Sequence, residues 1–435
     1  MFALVDCNSF FCSVERVFHP GLRGVPVCVL SNNDGCIVAL TPEAKVLGLK
    51  RGDPLFKVRD VVARGGVRVF SGNLMLYAAM SRRINRILRR HIHYVETYSI
   101  DECFCNLQGY ERLCEAKPNG GSGEAASGLE GFMRDIVGEI DRSTGIPVSV
   151  GIAPTKTLAK MGSKFAKQYK GYRAVCLIDT DEKRRKALAL FPLADVWGIG
   201  RNTLRDLLAY GVNTPLDLAE KSEAWVRSRF SLPVVRTWME LRGTPCIDTA
   251  EPLVAGTITT SRSFGHAVTD LGNLREAVAH FTAACANKLR ARSALAGTIS
   301  VFVANSPFDQ RAPWYGGSST RPLFVPTADT LELTRTALDI LTEIYRPGIQ
   351  YKKAGVILSH IVPAAPLQLR LFDPVDGRSH RRRLMQVVDG LNHRFGLKRV
   401  HLAVEGDKES PWHVKCAHST PDYLTDIDQL LTVRI

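Results

Sequence analysis

A carboxylate ends the first apolar run of this chain, Met1-Phe2-Ala3-Leu4-Val5-Asp6, and two more, Asp101 and Glu102, interrupt a second alternating segment through Val95, Tyr98, Ile100, Cys103 and Phe104. Both segments read as half-buried strands. Such carboxylates constrain a fold, because like charges within a few Å of one another disfavour joint ionisation unless a cation joins them. Magnesium meets that need, with hard oxygen ligands and positions left open for substrate phosphates. Two such ions about 3.5–4 Å apart activate a hydroxyl and stabilise a leaving pyrophosphate. Asp6, Asp101 and Glu102 therefore form a candidate split site for two divalent metals. The plain alternative is a turn-capping Asp6 and a solvated hairpin tip at Asp101-Glu102. Adjacent residues of a regular strand face opposite ways. Joint ligation by Asp101 and Glu102 thus requires a kink or a strand end.

At 435 residues the chain exceeds one ordinary domain and predicts roughly two to four. Its 45% hydrophobic and 23% charged residues are those of a soluble globular protein. No apolar run approaches the ~20 residues of a membrane span, and no basic-then-apolar leader opens the sequence. The expectation is a cytoplasmic protein with no membrane partner. Eleven cysteines without a Cys-x-x-Cys pair predict reduced, buried thiols rather than a disulfide framework or a zinc site. Cys103 and Cys105, flanking Phe104, should share one face.

The formal charge of +14 points to a polyanionic partner. Lys156, Lys160, Lys164 and Lys167 recur at helical spacing after Pro154-Thr155, which predicts one cationic stripe on a helix. Arg82, Arg86, Arg89 and Arg90 do the same earlier. Each stripe alone also reads as an ordinary solvated face.

The first 180 or so residues mix strands, at 2–6, 25–30, 36–40, 95–105 and 147–152, with helices. Asn33-Asp34-Gly35 between two apolar runs predicts a hairpin turn. Residues 117–128, rich in glycine and serine, read as a flexible insertion. Residues 182–245 read as all-helical, and Val196-Trp197-Gly198-Ile199-Gly200 resembles the turn of a helix-hairpin-helix. There Gly198 and Gly200 would free backbone N–H groups for a phosphate. A helix C-cap glycine is the structural alternative. Strands at 257–264, 298–303 and 353–358 with helices at about 273–292 and 328–345 predict a small α/β module. Pro363-Ala364-Ala365-Pro366 then marks a linker.

The run Phe2 to Phe11, the Ser31-Asn32-Asn33-Asp34-Gly35-Cys36 turn, Tyr98-Ser99-Ile100-Asp101-Glu102, and Gly151-Ile152-Ala153-Pro154-Thr155-Lys156-Thr157-Leu158-Ala159-Lys160 together resemble the Y-family translesion DNA polymerases. The likeness is to the UmuC type, the catalytic subunit of bacterial DNA polymerase V and its mobile-element homologues, and it covers nearly the whole chain. It implies a multidomain α/β (α+β) right-hand polymerase. The palm would be 1–19 and 76–181, the fingers 20–75, the helical thumb 182–245 and the little finger 250–360, with a partner-binding region at 361–435. Asp6, Asp101 and Glu102 would hold two Mg²⁺ ions, aided by the Cys7 carbonyl. A primer 3′-hydroxyl would attack the α-phosphate of a dNTP, copying damaged template during the SOS response.

The resemblance also implies that Phe10, Phe11, Lys45 and Lys167 line the nucleotide, although the wider family more often has arginine at position 45 and an aromatic at position 42. Phe11 occupies the sugar-selecting position. A ring beneath C2′ collides with a ribose 2′-hydroxyl and leaves that hydroxyl unpartnered, whereas simple core packing is the default for such an aromatic. Lys160, Lys164, Arg262, Gly198 and Gly200 would contact DNA. Gln368-Leu369-Arg370-Leu371-Phe372 resembles a sliding-clamp pentapeptide, with Gln368, Leu369, Leu371 and Phe372 as anchors for an apolar groove. A short buried strand is its structural alternative. The partners implied are primed and damaged DNA, a UmuD′-type dimer, the RecA filament and the clamp. The rival reading is a catalytically dormant DNA-binding scaffold that recruits the clamp. Three intact carboxylates argue against it. A metal nuclease lacks an evident water-activating His or Lys beside the acids.

Overall fold

The computed structural model describes residues 1–110, 128–249, 256–309, 312–364, 377–395, 399–406, 410–424 and 426–430. They divide into two compact units. One comprises Met1–Ser31, Gly35–Ala250 and His418–Ile435, and the other Asn32–Asp34 and Glu251–Ala417. Among the described residues no helix is long and apolar enough to cross a membrane.

The first unit is built on a five-stranded sheet in the order β5-β6-β1-β7-β8: Val95–Thr97, Glu102–Asn106, Phe2–Cys7, Val148–Ala153 and Val175–Leu177. The period of two along β1 sorts its side chains between two cores. Ala3, Val5 and Cys7 join Cys103, Cys105, Val148 and Val150 beneath the Leu74–His91 and Leu129–Thr144 helices. Leu4 and Phe104 face Leu158, Met161 and Phe165 of the Lys156–Gln168 helix. Cys103 and Cys105 do share a face, as their spacing predicts. The Lys156–Gln168 helix lies so close to β7 that a Cβ on Gly151 would run into the backbone of Ala159 and Ser163. Only glycine permits that approach.

The segment expected as one strand over 95–105 is a hairpin of β5 and β6. A second, three-stranded sheet, β3-β2-β4, comprises Ile37–Leu40, Val27–Leu30 and Arg68–Ser71. β2 and β3 form the expected antiparallel pair, joined through a single 3₁₀ turn in which Asn33 and Asp34 adopt φ of 61° and 51°. Asn and Asp tolerate that left-handed region better than other non-glycine residues. The all-helical reading of 182–245 holds, with helices Asp181–Leu190, Arg201–Ala209, Pro215–Ala219, Glu223–Arg229 and Leu232–Leu241.

The second unit is an antiparallel sheet, β11-β10-β12-β9, formed by Gly316–Thr327, Ala294–Asn305, Tyr351–Pro363 and Thr257–Val268. The helices Leu271–Ala291 and Thr330–Ile344 cover it, sharing one core with Ile299, Val301, Val356 and the fully buried Trp412. β11 escaped the sequence reading. It begins Gly316-Gly317-Ser318-Ser319 and contains Pro322, residues poor in strand propensity but tolerated on an edge. The insertion at 117–128, apart from Gly128, and the clamp-like Gln368–Phe372 lie outside the described residues.

Candidate active site

Asp6 and Glu102 are direct partners across the antiparallel β1–β6 pair. Both occupy the parity of Leu4 and Phe104, so both carboxylates face the Lys156–Gln168 helix. Two lysines from that helix meet them, which overturns the expectation that no lysine stands beside the acids. Lys160 Nζ lies 2.8 and 2.9 Å from the Glu102 oxygens, and Lys167 Nζ lies 3.2 and 3.4 Å from those of Asp6. The Asp6 and Glu102 side chains remain 21% and 20% exposed, which leaves this corner open to a solute. Burial holds the Asp6 carboxyl above its usual range. Lys167 opposes that shift, while Glu102 and Asp101 add to it.

Asp101 stands one residue before β6 begins, which supplies the strand end that joint ligation requires. The Cys7 N–H donates to its carbonyl at 2.9 Å, and Ser99 Oγ donates to its carboxylate at 2.6 Å. Ser99 Oγ also accepts from the Glu102 N–H at 3.0 Å. The Ser-Ile-Asp-Glu turn is thereby fixed by its own serine. Burial pushes the Cys7 thiol well above its ordinary value, leaving it an inert core residue whose backbone serves the site.

Among the described residues no group of three or more His, Cys, Asp or Glu side chains is closed up as a metal centre. The donor set nonetheless suits hard divalent ions. Asp6 and Glu102 supply oxygens from neighbouring strands, Asp101 adjoins them, and the two ammonium groups balance their charge where cations would otherwise be needed.

The four stripe lysines are all paired with acids. Lys156 is buried and bonds Glu96 at 2.8 Å, and Lys164 meets Asp195 at 2.5 Å. The stripe is thus not the freely solvated face that its spacing also permitted. Lys160 Nζ lies 4.7 Å from the Tyr98 ring centroid and 5.7 Å from that of Trp197, and Trp197 Nε1 donates to the Tyr98 hydroxyl at 3.0 Å. Gly198 has φ of +92° with Thr237 Oγ1 packed where a Cβ would sit. Gly200 is the N-cap of the Arg201–Ala209 helix. Lys45 is exposed on the short Pro42–Val46 helix, and Arg262 lies on β9 of the second unit.

After β1 the chain turns through Asn8 and Ser9. Ser9 adopts φ of 46°, and its hydroxyl bonds the Leu40 carbonyl at 3.0 Å. That turn starts the Phe10–Phe18 helix, with Phe10 buried and Phe11 half-buried. The Phe11 ring stacks on Tyr77, with centroids 4.5 Å and planes 17° apart. The Tyr77 hydroxyl donates to Glu15 Oε1 at 2.6 Å. Tyr77 and Glu15 were not singled out from the sequence. The available signal was a glutamate four residues after Phe11, on the same helix face, within an apolar run.

Known proteins resemble this chain in sequence and in fold. The impB/mucB/samB family model covers residues 5–164 and its C-terminal-domain model residues 256–371. A domain of unknown function matches residues 382–433. The chain is 41% identical over 436 residues to Protein UmuC of Salmonella typhimurium, covering all of both chains. It is 38% identical to Protein MucB of Escherichia coli over 98% of each, and 30% identical to DNA polymerase IV of Moorella thermoacetica over 92% of this chain and 95% of that one. Among solved structures, a Y-family DNA polymerase chimera of Dbh and Dpo4 aligns with a TM-score of 0.64 at 20% identity, over 83% of this chain and all of its own. That likeness shows the fold, the right-hand architecture expected from the motifs. The chain belongs to the impB/mucB/samB family, the UmuC type of Y-family polymerase.

Proposed function

We propose that the corner formed by Asp6, Asp101 and Glu102 carries out two-metal nucleotidyl transfer from dNTP to a primer 3′-hydroxyl. The chain is a translesion DNA-directed DNA polymerase, and its relatives' chemistry is divalent-metal-dependent. The observation that carries the finer reading is the register pairing of Asp6 with Glu102 on the face covered by Lys160 and Lys167.

Asp6, Asp101 and Glu102, with the Cys7 carbonyl, would hold two Mg²⁺ ions. When bound, these supply charge stabilisation at the α-phosphate and the leaving pyrophosphate and make the 3′-hydroxyl more acidic. The remaining tasks fall to the chain's own side chains. Lys167, released from Asp6, and Lys45 bind the triphosphate by charge-assisted hydrogen bonds. Phe10 packs behind the site, and Phe11 excludes a ribose 2′-hydroxyl. Lys160, Lys164, Arg262 and the Gly198–Gly200 turn contact DNA phosphates, sequence-independently and with steep salt dependence.

In this reading the palm is 1–19 and 76–181, the fingers 20–75, the thumb 182–245 and the little finger 250–360. Residues 361–435 serve the sliding clamp, through Gln368, Leu369, Leu371 and Phe372, and a UmuD′-type dimer and RecA filament, in the cytoplasm during the SOS response.

A Mg²⁺ titration of single-nucleotide insertion tests the two-ion reading. Insertion that rises cooperatively with Mg²⁺ supports it, simple one-ion saturation contradicts the count, and insertion surviving a chelator contradicts metal chemistry altogether.

A further inference from the structure

The segment from His418 onward belongs to the unit that carries the acidic corner and lies within residues 382–433, which match a domain of unknown function. It makes a specific set of contacts. The Ser71 N–H donates to the His418 carbonyl at 3.0 Å, and the His418 N–H donates to Ser71 Oγ at 3.0 Å. Asn73, which caps the Leu74–His91 helix by accepting from the Leu76 N–H, donates its amide to the Thr420 carbonyl at 3.2 Å. Tyr423 stacks on Phe18 with ring centroids 4.8 Å apart. The segment therefore grips both helices of the Phe11–Tyr77 stack, one carrying Phe11 and the other Tyr77.

Between those helices sits Glu15, fully buried. Its Oε1 accepts from the Tyr77 hydroxyl at 2.6 Å and from Thr420 Oγ1 at 3.3 Å, while Oε2 has no hydrogen-bond partner among the described residues. Two hydroxyls thus fix the carboxylate through one oxygen, and the carboxylate fixes the far end of the Tyr77 ring. A steric gate discriminates only as far as its ring resists displacement, since a ring free to tilt makes room for the hydroxyl it should repel. Tyr77, itself fully buried, is the surface against which Phe11 would have to yield.

We propose that Tyr77, Glu15 and Thr420 form a positioning array that holds the Phe11 ring in place, so that residues 418–423 help set the strictness of deoxyribose selection. This rests on the reading of Phe11 as the sugar gate. None of the three need touch the nucleotide. Each acts through Phe11.

The test uses the full-length chain on primed template with Mg²⁺. It measures the efficiency of inserting a dNTP relative to the matching rNTP in wild type, Phe11→Ala, Tyr77→Phe, Thr420→Val and Thr420→Ser. Competition between the same nucleotides for a dideoxy-terminated primer complex reads the ratio without turnover. Losing one hydrogen bond worth about 1 kcal/mol should lower the ratio roughly three- to tenfold in Tyr77→Phe and Thr420→Val. Thr420→Ser, which keeps the hydroxyl, should restore it. A merely structural anchor predicts otherwise: lower melting temperatures and slower insertion of both nucleotides at an unchanged ratio. That result, with Phe11→Ala still losing discrimination, would overturn the proposal and leave the gate standing. An unchanged ratio in Phe11→Ala would remove the gate, and the array with it.

Discussion

The two faces of β1 treat a carboxylate in opposite ways. On the face toward the Lys156–Gln168 helix, Asp6 and Glu102 stay about one-fifth exposed and are met by ammonium groups on long, flexible stems. On the other face Glu15 is sealed from solvent and met by neutral hydroxyls, Tyr77 and Thr420. A lysine can leave a carboxylate when a stronger cation or a triphosphate arrives, because the incoming charge replaces the one that departs. A buried carboxylate held by hydroxyls has no such freedom, since each lost partner leaves a desolvated oxygen. On the proposed reading, one face is arranged for exchange of partners and the other for keeping its position.

Glu102→Gln breaks this comparison most severely. It removes an anionic oxygen from the metal corner and should lower nucleotide insertion by about a hundredfold or more. Insertion within a few-fold of wild type would remove Glu102 from the chemistry.

Lys167→Ala sharpens the idea of an exchangeable partner. Losing one charge-assisted contact to the triphosphate should raise KM for dNTP about tenfold or more with kcat less affected. A fall in kcat at constant KM would instead confine Lys167 to balancing the charge of Asp6.

Glu15→Gln gives the smallest effect and probes the other face. Burial raises the Glu15 carboxyl above its ordinary value of 4.5, with Tyr77, His19 and Thr420 opposing the shift. The folded state therefore binds this proton more tightly than the unfolded chain does. The resulting stabilisation is fully present below the ordinary value and is lost as pH rises through the folded one. The glutamine variant, whose amide oxygen still accepts from both hydroxyls, should be more stable than wild type near neutral pH, by on the order of 1 kcal/mol. The gain should fade as pH falls toward the ordinary carboxyl value. A gain independent of pH in melting curves would contradict a buried, ionising Glu15.

The exchange face was legible in the sequence and the holding face was not, for a physical reason. Asp6, Asp101 and Glu102 stand at strand ends announced by the alternation of their neighbours, and Cys103 and Cys105 follow the same period of two. Even the requirement for a strand end at Asp101 was visible, because adjacent residues cannot otherwise share a site. Lys160 and Lys167 were visible as a helical repeat, but not as partners of particular acids, since periodicity names a face and not what lies opposite. The bond from Tyr77 to Glu15 spans 62 positions and that from Thr420 to Glu15 spans 405. No local pattern encodes contacts at that distance. β11 was missed because an edge strand has little need of the propensities by which strands are recognised.

Primer extension across a template abasic site, with Mg²⁺, dNTPs, clamp, a UmuD′-type dimer and RecA filament, tests the central claim most directly when wild type is set against Asp101→Ala. The account predicts that wild type extends past the lesion and Asp101→Ala does not, while both bind primed DNA equally. Equal failure of both proteins, each still binding primed DNA and the clamp, would contradict it and turn the reading to a dormant scaffold.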